Sequence, residues 1–150
     1  DHLFPMRLVL QRVTYGAVAV AGETIAEIGP GLVILIGARL GDTPAQADWL
    51  AEKTAHLRLF EDAAGKLNRS VIEAGGSALV VPQFTLYADA QKGRRPAFTD
   101  AAPPDQAEPL IARFAEGLQR LGVPVQTGRF RAEMQVTIHN DGPVTIILER

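Results

Sequence analysis

The chain contains no cysteine and only three histidines in 150 residues. Without a thiol it can form no disulfide, no thiolate metal site and no cysteine nucleophile, which fits a reducing compartment such as the cytosol. His2, His56 and His139 each stand alone, with no partner at the H-x-x-x-H spacing that sets two imidazoles on one helix face. Serine is equally scarce: Ser70 and Ser77 are the only two, and neither lies in a G-x-S-x-G elbow. The sequence also lacks a Walker loop and a dinucleotide glycine pattern. Its longest apolar run, Leu32 to Ile36, is far too short to span a membrane. Neither sign of charge dominates, with 15 Lys and Arg against 17 Asp and Glu and a net charge of −2. Broad, nonspecific binding of polyanions, and with it a DNA partner, is therefore not expected, although a local basic patch is compatible with these numbers. The start, Asp1 to Pro5, has no basic n-region of the kind a signal peptide carries. Met6 reads as an initiator, residues 1–5 as an extension, and 6–150 as one domain.

What the chain does have is strand-like alternation broken by turn residues. Arg7 to Thr14 reads as a strand, and Ala17–Val20 and Glu23–Ile28 flank Ala21-Gly22 as a hairpin. After the Gly29-Pro30-Gly31 turn, Leu32–Gly37 has the continuous apolar character of a strand covered on both faces. Asp42-Thr43-Pro44 caps a helix that runs to about residue 57, with Ala47, Leu50, Ala51, Thr54 and Leu57 at helical spacing. Gly65 sits in a turn at 61–66 bracketed by Leu59-Phe60 and Leu67-Asn68. A strand is expected over Ala78–Leu86. A second helix opens at Pro103-Pro104, carries the stripe Leu110, Ile111, Phe114, Leu118, Leu121, and ends at Gly122. Strands at Val123–Thr127, Met134–His139 and Val144–Leu148 complete an α+β domain with two helices.

Two segments interrupt strand patterns with backbone-controlling residues: Val80-Val81-Pro82-Gln83-Phe84-Thr85-Leu86 and Asn140-Asp141-Gly142-Pro143-Val144-Thr145. Proline removes an amide donor and fixes φ, so each interruption marks irregular backbone. Thr85 is the best-placed hydroxyl, yet no base stands near it in sequence, and an unassisted threonine is a weak nucleophile. On its own it is as well explained as a β-favouring residue. Amides at an irregular strand end offer another route, an oxyanion hole that depends on no side-chain pKa. Asn140–Pro143, between two alternating runs, reads most simply as a connecting turn. Lys92, Arg94 and Arg95 crowd three cations into four residues, either a solvated loop or a phosphate-contacting patch, with Phe98 nearby to pack or stack. These residues alone leave open an esterase, a noncatalytic RNA-binding module and a structural dimer.

Gln11-Arg12-Val13, Ile28 to Gly31, Pro82 to Leu86, Lys92 to Pro96 and Asn140 to Thr145, taken in order, resemble the D-aminoacyl-tRNA deacylase family from Met6 to near the C-terminus. The resemblance implies a cytoplasmic homodimer with a barrel-like core of antiparallel and mixed sheets, two main helices, and no metal or cofactor. The implied reaction hydrolyses the ester joining a D-amino acid to the 3′-terminal adenosine of tRNA, and also cleaves glycyl-tRNA mischarged on tRNA-Ala. Gln83, Phe84 and Thr85 are the implied catalytic residues. Gly142 and Pro143, as a cis dipeptide entering the partner's site, would reject L-residues, with Arg12, Pro82 and Asn140 in support. Lys92, Arg94 and Arg95 would contact tRNA. Two positions depart from the family pattern: Pro82 replaces the usual serine, and Arg131 replaces a small residue. Pro82 also points toward a related deacylase group with relaxed chirality and a trans Gly-Pro.

Overall fold

In the computed structural model, which describes residues 5–150, the chain opens with one long strand, β1 (Arg7–Val20). The two strands expected on either side of Tyr15-Gly16 are thus a single element. Ala21 and Gly22, with φ of 50° and 80°, turn the chain into β2 (Glu23–Ile28). This double positive φ gives the twist a tight antiparallel hairpin needs. β3 (Gly31–Gly37) follows and is buried at every position but Leu35. Gly31 must lack a side chain because a Cβ there would lie 1.9 Å from the Ser77 carbonyl oxygen.

Helix α1 (Pro44–His56) starts as expected, with Gln46 Oε1 accepting from the Thr43 amide at 2.7 Å. The hairpin β4 (Phe60–Glu61) and β5 (Leu67–Arg69) flanks the Gly65 turn. Strand β6 (Ser77–Pro82) ends four residues before the expected Leu86, and Phe84–Tyr87 forms a single 3-10 turn. Pro82 explains the stop, since it closes the last pairing with Ile36 and the chain leaves the ladder after it. Helix α2 (Pro104–Arg120), β7 (Val125–Thr127) and β8 (Gln135–Glu149) complete the chain. β8 corrects the sequence reading, because one strand of 15 residues replaces two strands and a turn.

β3, β6 and β7 run parallel, β1 is antiparallel to β3, and the main sheet follows the order β2-β1-β3-β6-β7, with β8 also paired to β1. Closing β2 toward β6 and β7 makes a nearly closed mixed barrel. Leu32, Ile34, Ile36, Ala78 and Val80 point outward beneath α1 and α2, in one core with Leu50, Phe114 and Leu118. Val33, Leu79 and Val81 point inward with Val13, Val18 and Ile28. The helices cross so closely that a Cβ on Gly117 would lie 2.8 Å from the Ala51 methyl. Among the described residues no helix is long and apolar enough to cross a membrane. Most of the segment read as an extension, residues 1–4, lies outside the described residues, whereas Met6 is buried and pairs its backbone with Arg150.

Candidate active site

A cavity of about 720 Å³ opens at the end of β3 and β6, where the chain passes from strand into the 3-10 turn. Its floor is apolar (Ile36, Val81, Ala107, Ile111), and its mouth carries Gln83, Phe84, Phe98, Phe130 and Met134. The turn is pinned to β1 and β3 from several sides. The Gln83 amide donates to Ile36 O at 2.7 Å, and Arg7 donates to Leu86 O at 2.7 Å. Tyr87, buried beneath the turn, donates its hydroxyl to Gly37 O at 3.2 Å, and that burial pushes its phenol pKa up. Gly37 permits this packing, since a Cβ there would meet the Tyr87 ring at 2.9 Å. A 3-10 turn opens with amides that have no acceptor inside the turn, here those of Phe84 and Thr85. These donors sit on rigidly supported backbone beside the cavity.

Pro82, Gln83 and Phe84 line the cavity, and Phe84 is 58% exposed with its ring packed edge-on to Phe98 at 5.1 Å between centroids. Thr85 is exposed and absent from the lining. It lies within the 3-10 turn and not at a strand end, and its hydroxyl accepts from the Gln83 side chain. An amide is no base, so among the described residues nothing activates that hydroxyl. Lys92, Arg94 and Arg95 are exposed on a loop closed by paired backbone bonds between Asp89 and Ala97, next to the cavity residue Phe98. Sequence reasoning missed Phe130, Glu133 and Met134; an aromatic and a thioether in an otherwise polar stretch were the only available signal.

The second motif forms a bulge instead of a turn. Between the pairs Gln11↔Thr145 and Val13↔Asn140, β1 advances two residues while β8 advances five, so three residues are extruded from the ladder. The Gly142–Pro143 peptide within it is cis. Both residues are exposed, as is Asn140, and none of them lines the cavity. Beneath the bulge Arg12 is only 5% exposed. Its Nε donates to Asp141 O at 3.1 Å and its Nη1 to Leu59 O at 2.8 Å, with Glu61 Oε1 3.8 Å from Nη2. A Cβ on Gly142, whose φ is 125°, would come within 3.1 Å of that guanidinium. Among the described residues no group of three His, Asp or Glu side chains is placed to hold a metal ion.

The family model of D-Tyr-tRNA(Tyr) deacylase matches residues 9–149. The chain belongs to the D-aminoacyl-tRNA deacylase family. It is thus a hydrolase of the deacylase class, with the fold of that family. A D-aminoacyl-tRNA deacylase of Thermomicrobium roseum is 60% identical over 144 residues, covering 96% of this chain and 94% of that protein. One from Roseiflexus castenholzii is 58% identical, covering 96% and 92%. A solved structure described as a c-Myc DNA unwinding element binding protein superposes with a TM-score of 0.91 at 43% identity, covering 97% of this chain and 99% of that one. A structure described as a probable eukaryotic D-amino acid tRNA deacylase shares the fold, with a TM-score of 0.84 at 18% identity over 98% and 100% of the two chains.

Proposed function

We propose that this deacylase is a cytoplasmic homodimer that cleaves the ester between a D-amino acid and the 3′-terminal adenosine of tRNA, each cavity completed by Gly142 and Pro143 of the partner subunit. One observation carries the reading: the deacylase cavity and the exposed Gly142-Pro143 bulge are separate features of a single chain, so a filter built from both requires a second copy. The adenine enters the apolar cavity beside Phe84 and Phe98, and the ester carbonyl faces the Phe84 and Thr85 amides, which stabilise the developing oxyanion. Water attacks the carbonyl carbon, assisted by the RNA's own 2′-hydroxyl, and the C–O bond to the 3′-oxygen breaks. That oxygen takes up a proton, releasing the amino acid and tRNA. Gln83 orients the turn through Thr85. Lys92, Arg94 and Arg95 attract the tRNA backbone.

An L side chain projects into the Gly-Pro fence and is excluded, a D side chain points away, and glycine offers nothing to exclude. Glycyl-tRNA mischarged on tRNA-Ala is therefore also a substrate. With a net charge of −2 and only the three cations Lys92, Arg94 and Arg95 gathered in one loop, the protein suits a single-stranded RNA end better than duplex DNA.

The test mixes two defective proteins, one carrying Phe84→Ala and the other Gly142→Val. Random reassortment into symmetric dimers leaves one intact composite site in each mixed dimer, restoring about a quarter of wild-type D-aminoacyl-tRNA hydrolysis. No restoration sinks the cross-subunit site. Equal wild-type cleavage of D- and L-aminoacyl-tRNA points to a relaxed deacylase, and tRNA binding without cleavage points to a noncatalytic module.

A further inference from the structure

The loop between β7 and β8 holds the least expected residue of the cavity wall. Arg131 has φ of 66°, the left-handed region that glycine occupies freely and a residue carrying a Cβ enters only at a cost. Backbone strain of this kind persists where surrounding structure over-determines it, and here both ends of the loop are fixed. The Gly128 amide donates to Val80 O at 2.8 Å. A Cβ on Gly128 would lie 2.7 Å from the Met134 sulfur, so the two ends of the loop are packed against each other. Met134 in turn packs into the barrel interior. At the loop's tip, Arg131 lines the cavity yet is solvent-exposed, with no ion pair or hydrogen bond among the described residues. Glu133, exposed on the same wall, is the only other charged residue lining the cavity among the described residues. The guanidinium is thus delivered to the mouth of an apolar pocket by rigid backbone, with its donors unused.

We propose that Arg131 is a substrate-binding residue that grips a phosphodiester of the single-stranded tRNA end as the terminal nucleoside enters the cavity. This rests on the reading that the cavity takes the 3′-adenosine. The chemistry follows from what enters: a terminal nucleoside placed among apolar and aromatic walls carries its 5′-phosphate out to the rim, where an unpaired guanidinium offers a forked pair of donors. Glu133 on the same wall repels phosphate and narrows the approach to the arginine side. A cation at this rim could otherwise read an acidic D-amino acid side chain, and the experiment separates the two.

The test measures steady-state hydrolysis of D-tyrosyl-tRNA, D-aspartyl-tRNA and D-tyrosine esterified to free adenosine, using wild type, Arg131→Gly and Arg131→Lys. Arg131→Gly relieves the left-handed strain, so its thermal midpoint does not fall and its fold is intact. The expected result is a KM for both charged tRNAs raised about tenfold, kcat little changed, and Arg131→Lys intermediate. The slope of log kcat/KM against log salt becomes shallower by about 0.7, the value for one phosphate on a single strand. On the adenosine ester, which has no phosphate, the tenfold difference disappears. An unchanged KM on tRNA overturns the proposal. So does a loss confined to D-aspartyl-tRNA, which would assign Arg131 to the side chain, or an equal loss on the adenosine ester. Failure of wild type to cleave any of the three would instead overturn the deacylase reading itself.

Discussion

Replacing Arg12 with methionine isolates what anchors the Gly142-Pro143 bulge. Methionine keeps most of the volume and removes every donor. The guanidinium interacts with two kinds of partner, and their worth differs. Its hydrogen bonds to Leu59 O and Asp141 O, at 2.8 and 3.1 Å, come from a buried charged donor, and such bonds contribute roughly 1.5–3 kcal/mol each. Its ion-pair partners Glu61 and Asp141 are 57% and 47% exposed and lie at 3.8 and 3.4 Å, so screening by water leaves them under about 1 kcal/mol together. Arg12→Met therefore costs about 3 kcal/mol, while Glu61→Gln costs only a few tenths. With a urea m-value of about 1.5 kcal/mol/M, the first lowers the unfolding midpoint by about 2 M and the second barely moves it. Equilibrium urea unfolding followed by circular dichroism measures both. A midpoint shift below about 0.5 M for Arg12→Met would refute the carbonyl-clamp argument. So would a Glu61→Gln shift of equal size, because the exposed ion pair would then be the true anchor. If the bulge is the chiral filter, Arg12→Met also raises hydrolysis of L-aminoacyl-tRNA relative to D-aminoacyl-tRNA.

Three further outcomes follow from local geometry. Gly31→Ala forces its Cβ against the Ser77 carbonyl, 1.9 Å away, so β3 and β6 must separate. The expected cost is at least about 3 kcal/mol, read as a melting point lowered by roughly 10 °C or as insoluble protein. Ala21→Asn places a residue that tolerates left-handed backbone where φ is 50°, and should raise the melting point by about 2 °C. Glu73 accepts from the Ser70 amide at 2.9 Å, and that bond holds its carboxyl below the ordinary 4.5. A depressed carboxylate stabilises the fold above its unfolded pKa and loses that contribution as pH falls through the folded value. Glu73→Gln should accordingly flatten the dependence of the urea midpoint on pH below about 4.5, and an unchanged profile would count against the bond.

The elements governed by local rules were legible. Helix α1 announces itself by Thr43-Pro44 and a regular apolar stripe, and α2 by Pro103-Pro104 and Leu110 to Leu118. β3 reads directly because both of its faces are covered and nearly every residue is apolar. The 3-10 turn at Phe84 was not legible, since Gln83 to Leu86 contains β-favouring residues and only the end of the ladder at Pro82 decides against a strand. The cavity was half legible for a related reason. Gln83 and Phe84 belong to a motif, whereas Phe130, Glu133 and Met134 reach the same wall from a loop nearly fifty residues later in the chain, brought there by the pairing of β7 with β6.

The hardest feature to foresee was β8, where periodicity was correct and its interpretation was not. Met134, Val136, Ile138, Val144, Ile146 and Leu148 all fall on even positions, which in an unbroken strand places them on one face. The structure divides them: the first three pack into the barrel interior and the last three beneath the helices. β1 divides in the same way, with Leu8 and Leu10 under the helices but Val18 inside the barrel, because both strands are irregular where they pair between Gln11 and Tyr15. A bulge changes which side of the sheet each later residue meets, and extruding backbone is how the ladder absorbs that change. The residues extruded must be those that can leave a strand without stranding a buried donor or a large side chain. Gly142 and Pro143 satisfy both conditions. The turn-like composition of Asn140–Pro143 was therefore a true signal, reporting a place where the chain leaves the ladder and not a place where it reverses.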